Sequence, residues 1–314
     1  MHQLVSICIP AYNKPQFVER CIHSILAQTY KKVEIIISDD SPNEDIKLVV
    51  ERFKKDVAII YVHNKTALKS PKNWNAALNR ANGNFVLLMH QDDWFYAQDA
   101  IQRYVSILKA RPDVSFVFSQ NTAVDENGKK TILQARPQLI PKLEKKPDHL
   151  LLAQVIGPPS NTMLRNNITI RYDEQFIWLV DVDYYVRLLK AGHRCHYIND
   201  HLVSIGLHKD QTTVFCRANS HIIFKENILY AKKLEVGVFN DIIIYDYYWR
   251  LLRNYKIRTE NDIFKNGLQK ADVPFIIRHM LRMQMLWPFF MLKIGLISKT
   301  AMTLSYSKWR ASLR

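Results

Sequence analysis

Three acidic pairs and one histidine in this 314-residue chain have the types and spacing to act on a phosphorylated, hydroxyl-bearing ligand. Asp39 and Asp40 follow directly on the apolar run Val33–Ser38. Carboxylates at the end of a buried strand can accept hydrogen bonds from a nucleotide base edge or from ribose hydroxyls. An aspartate before Ser41-Pro42 can also satisfy the N–H groups of its own turn, and both uses stay open. Asp92 and Asp93 close the cluster His90-Gln91-Asp92-Asp93 after a second apolar run, Phe85–Met89. Oxygen ligands on a short loop suit a divalent cation that substrate phosphates also hold; turn chemistry is the plain alternative. Asp181 and Asp183 open the stretch Leu179–Leu189. Capping and the macrodipole favour acids at a helix start, and a carboxylate held there is also oriented to act as a base. His208, in Gly206-Leu-His-Lys-Asp-Gln-Thr-Thr213, could offer a neutral imidazole to a metal, although a lone histidine is more often structural.

The elements that must position these groups alternate. Val5–Ile9 reads as a buried strand stopped by Pro10, and Pro15 opens a helix whose apolar side carries Phe17, Cys21, Ile22, Ile25 and Leu26. A strand at 33–38, a helix through Ile46 to Phe53 and a strand at 58–62 follow. The next helix is expected to be capped by Ser70, to carry Pro71 at its first position and to run to about Asn82, with Gly83 closing it. A strand at 85–89 completes four strand–helix alternations, the pattern of a mainly parallel sheet covered by helices. Three of the four strands end in polar clusters, at Tyr12-Asn13, Asp39-Asp40 and His90–Asp93, where such sheets bind ligands. Further on, the spacing predicts a helix at 100–110, a strand at 114–118, a hairpin turn at Glu126-Asn127-Gly128, a long loop marked by Pro137, Pro141 and Pro147, and a short helix near 150–155. A helix at 182–191 and short strands at 196–198 and 203–205 complete the pattern.

The opening motifs Val5-Ser-Ile-Cys-Ile-Pro-Ala-Tyr-Asn13, Cys21-Ile-His-Ser-Ile-Leu-Ala-Gln-Thr-Tyr30 and Val33-Glu-Ile-Ile-Ile-Ser-Asp-Asp-Ser41, with Asn73–Asn79 and Ala81–Val86, resemble the family 2 glycosyltransferases of GT-A fold. The resemblance spans about residues 4–210 and is most specific over the first ninety. It implies metal-dependent inverting transfer from a nucleoside diphosphate sugar, with UDP the expected nucleotide. It further implies that Asp40, with Asp39, holds the uracil and ribose, that Pro10, Ala11, Tyr12 and Asn13 line the base, and that Asn73, His90 and Gln91 belong to the donor site. Asp92 matches the second acid of an Asp-x-Asp metal motif for Mn²⁺ or Mg²⁺, Asp181 the catalytic base, and His208 a residue near metal and diphosphate; Asp93 and Asp183 are further candidates. Two departures stand out: His90 replaces the first acid of that motif, and Val180 stands where the family often has Glu.

The fold expected is therefore α/β: a GT-A catalytic domain over 1–215, and a helical, basic region over 216–314. The formal net charge is +15, and residues 216–314 hold 17 Lys+Arg against 7 Asp+Glu. Such a basic region suits an anionic membrane surface, a nucleic acid or a polyphosphate, with a solvated basic face the plain alternative; self-association into a homo-oligomer is a further expectation for it. The helical segment Val273–Ile297, apolar but for Arg278, Arg282 and Lys293, is expected to lie in a membrane interface, the alternative being a helix packed on the catalytic domain or in a dimer interface. The acceptor would be a glycan or lipid-linked sugar of surface-polysaccharide assembly, and the protein peripheral on the cytoplasmic face of the inner membrane. No run reaches the roughly 18 apolar residues of a membrane span, and Met1-His2-Gln3 leads straight into a strand pattern without a signal peptide. Cys8, Cys21, Cys195 and Cys216 lack metal spacing and read as reduced thiols. Neither zinc-finger nor RNA-recognition spacing is present, so nucleic acid is not an expected partner. Pro-Ala-Tyr-Asn-Lys-Pro after the first strand disfavours a nucleotidyltransferase, which needs a Gly-rich basic loop there. A non-catalytic scaffold at the membrane is the remaining alternative.

Overall fold

The computed structural model describes residues 3–133 and 137–313, so Met1-His2 at the expected start lies outside the described residues. The chain divides into two compact units, residues up to Gln211 and residues from Thr212. The first unit is built on strands β1 (Val5–Ala11), β2 (Val33–Asp39), β3 (Ala58–His63), β4 (Phe85–Leu88), β5 (Trp94–Phe95), β6 (Val114–Val124), β7 (Lys130–Leu133), β8 (Thr162–Arg165) and β9 (Arg194–Gly206). Its helices are α1 (Pro15–Leu26), α2 (Asp45–Phe53), α3 (Lys72–Leu78), α4 (Ala100–Ala110), α5 (Ile140–Leu143) and α6 (Val180–Lys190).

Across the sheet the order is β3-β2-β1-β4-β8-β6-β9-β5, with β7 hairpinned onto β6. β3, β2, β1 and β4 are mutually parallel, whereas β8 runs antiparallel to both β4 and β6. Helix faces explain the layering. Val18, Cys21, Ile22 and Ile25 of α1, and Ile46, Val49, Val50 and Phe53 of α2, recur every three or four residues and are buried. They pack against β1, buried along its whole length, and β2, buried from Glu34 on, forming one core with Tyr104, Val105 and Leu108 of α4. The resulting GT-A type architecture is mixed α/β, as the alternation implied.

Several boundaries differ from expectation for physical reasons. Pro10 does not stop β1: it pairs in register with Ser38, and Ala11 with Asp39. The pairing of β1 with β4 ends at Cys8–Leu88, so the missing N–H of Pro10 removes nothing from the ladder. α3 begins after Pro71, which sits in the capping position rather than the first helical one, and stops at Leu78. Gly83 therefore closes no helix. A Cβ there would lie 2.8 Å from the Leu4 carbonyl oxygen and the Ser6 nitrogen, so glycine is required because β1 passes close by. The strand expected at 114–118 runs on to Val124, and the two short strands near the end of the unit are one, β9, lying parallel to β6 with register shifts. The short helix near 150–155 is a 3-10 turn at Pro147–Leu151. α6 starts at Val180, and Gly192, with φ of 85°, receives its end.

The second unit is helical: α7 (Thr212–Ala218), α8 (Ser220–Lys233), α9 (Ile242–Asn254), α10 (Glu260–Phe264), α11 (Phe275–Met285), α12 (Phe289–Leu292) and α13 (Gly295–Ser312). Tyr245, Tyr248 and Trp249 of α9 are fully enclosed, with Tyr245 Oη 2.6 Å from Ser305 Oγ of α13. Among the described residues no helix is long and apolar enough to cross a membrane. The four cysteines are free, and burial raises their thiol pKa values, which favours the unreactive thiol.

Candidate active site

The carboxyl ends of β1, β2 and β4 bring Tyr12-Asn13, Asp39-Asp40 and His90–Asp93 together. Asn13 takes a positive φ of 52° and donates its N–H to Ser41 Oγ at 2.9 Å, tying the β1 loop to the β2 loop. The Gln91 amide clasps the Tyr12 backbone at both groups: Oε1 accepts the N–H, and Nε2 donates to the C=O, each at 2.9 Å. The Tyr12 ring is left exposed above this clasp.

Asp40 receives N–H groups from Leu68 at 3.0 Å and Lys69 at 2.8 Å, and the Asn64 amide at 2.9 Å. Asp39 is wholly buried; its oxygens accept the Ser41 N–H at 2.8 Å and the Tyr61 hydroxyl at 2.7 Å. Asp39 thus follows the turn alternative, whereas Asp40, also buried, is held by the distant loop through Asn64, Leu68 and Lys69. Asn73 is also interior, donating to the Ser38 carbonyl at 2.9 Å and accepting from Asn64 at 3.2 Å. Asp183 is buried against Arg187 Nε at 2.7 Å. Asp39, Asn73 and Asp183 therefore position the site from within rather than face it.

The second cluster is denser. Asp92 Oδ2 lies 2.8 Å from His208 Nε2, and its main-chain carbonyl accepts from Arg20 at 2.6 Å. Arg20, from α1, lies 3.8 Å above the Trp94 ring centroid and so ties α1 to the loop. Burial would raise the Asp92 pKa, but the His208 hydrogen bond and the nearby His90 hold it below the usual carboxylate range. Asp93 is driven the other way, upward, by burial and by the Asp92 charge; it accepts Ser160 Oγ at 2.5 Å and the Gly206 N–H at 3.1 Å. Burial lowers the His90 pKa, which favours the neutral ring. Gly206 is another close approach: a Cβ would fall 2.3 Å from the Asp92 carbonyl oxygen.

His90, Asp92 and Asp93 present ligand atoms all within 4.8 Å of one another. His90 Nε2 and His208 Nδ1 are enclosed without hydrogen-bond partners among the described residues. An imidazole nitrogen beside carboxylate oxygens fits a divalent ion, and suits Mn²⁺ better than Mg²⁺, which prefers an all-oxygen shell.

Asp181, the second residue of α6, keeps part of its side chain open to solvent, yet its Oδ1 is enclosed and unpartnered. Burial raises its pKa from 3.8 to about 7. Two tyrosines near it lead by contacts toward the acid loop. Tyr172 and Tyr185, both raised first by burial and further by neighbours including Asp181, lie within its electrostatic reach. Tyr172 meets the Trp74 ring at 5.2 Å, and Trp74 meets His90 at 4.7 Å. Tyr185 Oη lies 3.0 Å from Thr162 Oγ1, two residues from the Ser160 that holds Asp93 and accepts the His90 N–H at 3.0 Å. Sequence reasoning missed Arg20, Trp74, Tyr172 and Ser160. Only Ser160 carried a signal, in the turn Gly157-Pro158-Pro159-Ser160.

A mixed sheet with acidic loops clustered beyond its parallel strands is an architecture of GT-A type. The family model for glycosyl transferase family 2 matches residues 6–186, and the chain belongs to that family. An uncharacterized glycosyltransferase of Methanocaldococcus jannaschii, MJ1057, is 26% identical over 205 residues, covering 64% of this chain and 69% of that protein. The GalNAc(5)-diNAcBac-PP-undecaprenol beta-1,3-glucosyltransferase of Campylobacter jejuni is 37% identical over 91 residues, 28% of this chain and 29% of its own length. Several other curated relatives are matched over only 16% to 20% of their length. Among solved structures, TarS 1–349 of S. aureus in complex with UDP-GlcNAc superposes with a TM-score of 0.60 at 15% identity, covering 99% of this chain and 92% of that one. The mannosyltransferase PcManGT of Pyrobaculum calidifontis, in complex with GDP-Man and Mn²⁺, gives 0.55 at 16% identity, covering 75% and 66%.

Proposed function

We propose that the protein transfers a sugar from a UDP-sugar to a hydroxyl of a glycan or lipid-linked acceptor, with inversion and with Asp181 as the base. The observation that carries the reading is the enclosed, unpartnered Oδ1 of Asp181, in a carboxyl whose pKa stands near 7. A buried acceptor atom without a donor is costly, and an incoming hydroxyl supplies the donor. A base of that pKa takes up a proton well near neutral pH.

On this reading the uracil lies against the Tyr12 ring near the loop that Asp40 ties down, and the diphosphate lies toward Asp92. Asp92 with His90 would hold a divalent ion, with His208 beside it, and the bound ion would stabilise charge growing on the departing diphosphate. Asp181 orients the acceptor hydroxyl and receives its proton at Oδ1 as the oxygen bonds to the anomeric carbon. The bond to the diphosphate breaks on the opposite face, so the configuration inverts. The names of the Campylobacter relative and of the TarS complex support a lipid-diphosphate-linked acceptor and a UDP-sugar donor.

The test is UDP release from a panel of UDP-sugars, with undecaprenyl-diphosphate-linked glycans as acceptors, with Mn²⁺ and with EDTA. Turnover that needs acceptor, donor and metal together is the expected result. Turnover undiminished by EDTA and by Asp92→Ala would remove the metal from the scheme, and no transfer with any donor would remove the reading.

A further inference from the structure

From Val273 to the C-terminus the sequence contains seven Lys and Arg residues and no Asp or Glu. This acid-free segment folds as α11, α12 and α13, separated by turns at 286–288 and 293–294. The turns expose a run of large apolar side chains: Met285 at 56%, Leu286 at 67%, Phe290 at 69%, Ile294 at 51% and Leu296 at 80% of full accessibility. Five such residues within twelve positions form a concentration well beyond the scattered apolar exposure of ordinary surfaces.

The turns are held from behind. Arg258 donates to the carbonyls of Gln284 and Trp287, each at 2.9 Å. Leu292 is fully buried, and Ala301, Met302 and Trp309 anchor α13. The apolar side chains are therefore presented on a braced scaffold. Arg282, Lys293 and Lys299 are exposed around them, and none has a carboxylate partner among the described residues. Arg282 lies 5.5 Å from the Phe275 ring centroid and Lys293 5.3 Å from that of Phe289, so each cation accompanies an aromatic ring.

We propose that this tip, Met285 to Leu296, inserts into the headgroup–acyl boundary of a bilayer containing anionic lipid. The apolar residues enter the boundary while the cations stay at headgroup level, where their long stems and charges are both accommodated. A second copy of the chain fits less well, because interface cores are depleted of lysine and a two-fold contact would set this uniformly basic segment against itself. The inference does not rest on the transfer chemistry proposed above.

The test uses the full chain, floated with vesicles of phosphatidylcholine alone or mixed with phosphatidylglycerol. Binding is expected to the anionic vesicles and to fall at least tenfold at about 0.5 M NaCl, where screening shortens to a few ångström. Leu286→Ser with Phe290→Ser is expected to lower binding at least tenfold at every salt concentration with an unchanged melting curve. Lys293→Glu with Lys299→Glu is expected to remove the preference for anionic lipid. Wild-type protein that does not float, or variants that float like wild type, would overturn the proposal. So would salt-resistant self-association, abolished by the Ser substitutions, in protein that ignores vesicles.

Discussion

Replacing Asp181 by Asn should disable the enzyme and stabilise the fold, and the second effect depends on pH in a defined direction. In the folded protein burial lifts the carboxyl from 3.8 to about 7. The folded state therefore binds the proton more tightly than the unfolded chain does. Below about pH 4 both states are protonated and burial carries no charge penalty. As pH rises through the window from about 4 to 7 the unfolded chain ionises first, and stability is lost; above 7 the loss is complete. At about 1.4 kcal/mol per pKa unit the penalty is at most about 4 kcal/mol, and the partial solvent access of Asp181 reduces it to about 1–2 kcal/mol. Asn has nearly the same shape and no charge, so the variant should match wild type at pH 5 more closely than at pH 8, where it should be about 1–2 kcal/mol more stable. Urea unfolding at the two pH values measures this. The same substitution should lower kcat about 10²- to 10⁴-fold, the span of a lost general base. The wild-type rate should climb as pH rises through about 7, because the ionised form is the active one. A variant that keeps wild-type kcat, or whose stability difference is the same at both pH values, would refute the assignment of Asp181 as a buried, partnerless base.

Further outcomes follow from the donor side. Gln91→Ala frees both Tyr12 backbone groups, and the loss of about 1–2 kcal/mol of hydrogen bonding should appear as roughly tenfold higher KM for the UDP-sugar with a small change in kcat; Gln91→Glu, which keeps the acceptor and loses the donor, should fall between. Gly206→Ala forces a methyl onto the Asp92 carbonyl and should destabilise by about 1–3 kcal/mol in urea melts while weakening Mn²⁺ activation. Arg20→Met keeps much of the packing on Trp94 but withdraws the donor from the Asp92 carbonyl, and should raise the Mn²⁺ concentration needed for half-maximal rate several-fold in a metal titration.

The first four strand–helix alternations were readable because each depends on local periodicity: Ile46, Val49, Val50 and Phe53 declare a helix by their spacing alone. Boundaries failed where distant chain intervened. Nothing near Pro10 announces that β4 pairing ends two residues earlier, and nothing near Gly83 shows β1 crossing close to it. The length of β6 and the unity of β9 come from their mutual pairing, which no window of either strand contains. At the site the clusters at strand ends were legible and their division of labour was not. Asp39 and Asp40 look equivalent in sequence, yet the fold closes Asp39 over with Ser41 and Tyr61 and Asp40 with Asn64, Leu68 and Lys69. Asp181 and Asp183 look equally suited to a helix start, yet one is paired with Arg187 and the other retains an orphan oxygen. Ser160, 67 residues from the Asp93 it holds, had no local reason to be singled out beyond its turn.

The division of the sheet has a consequence for how such an enzyme can diversify. The groups proposed for the donor, Tyr12, Asp40, Gln91 and Asp92, arise within the first ninety-two residues and follow parallel strands, with His208 joining Asp92 from the far end of the unit. The proposed base and its aromatic escort, Tyr172 and Tyr185, belong to a later stretch beyond the antiparallel strand β8. On the proposed assignment, leaving-group recognition and nucleophile recognition are encoded largely in separate tracts of the sequence. Recombination near the middle of the unit could exchange one specificity while inheriting the other, provided Trp74 and Ser160 still bridge the seam.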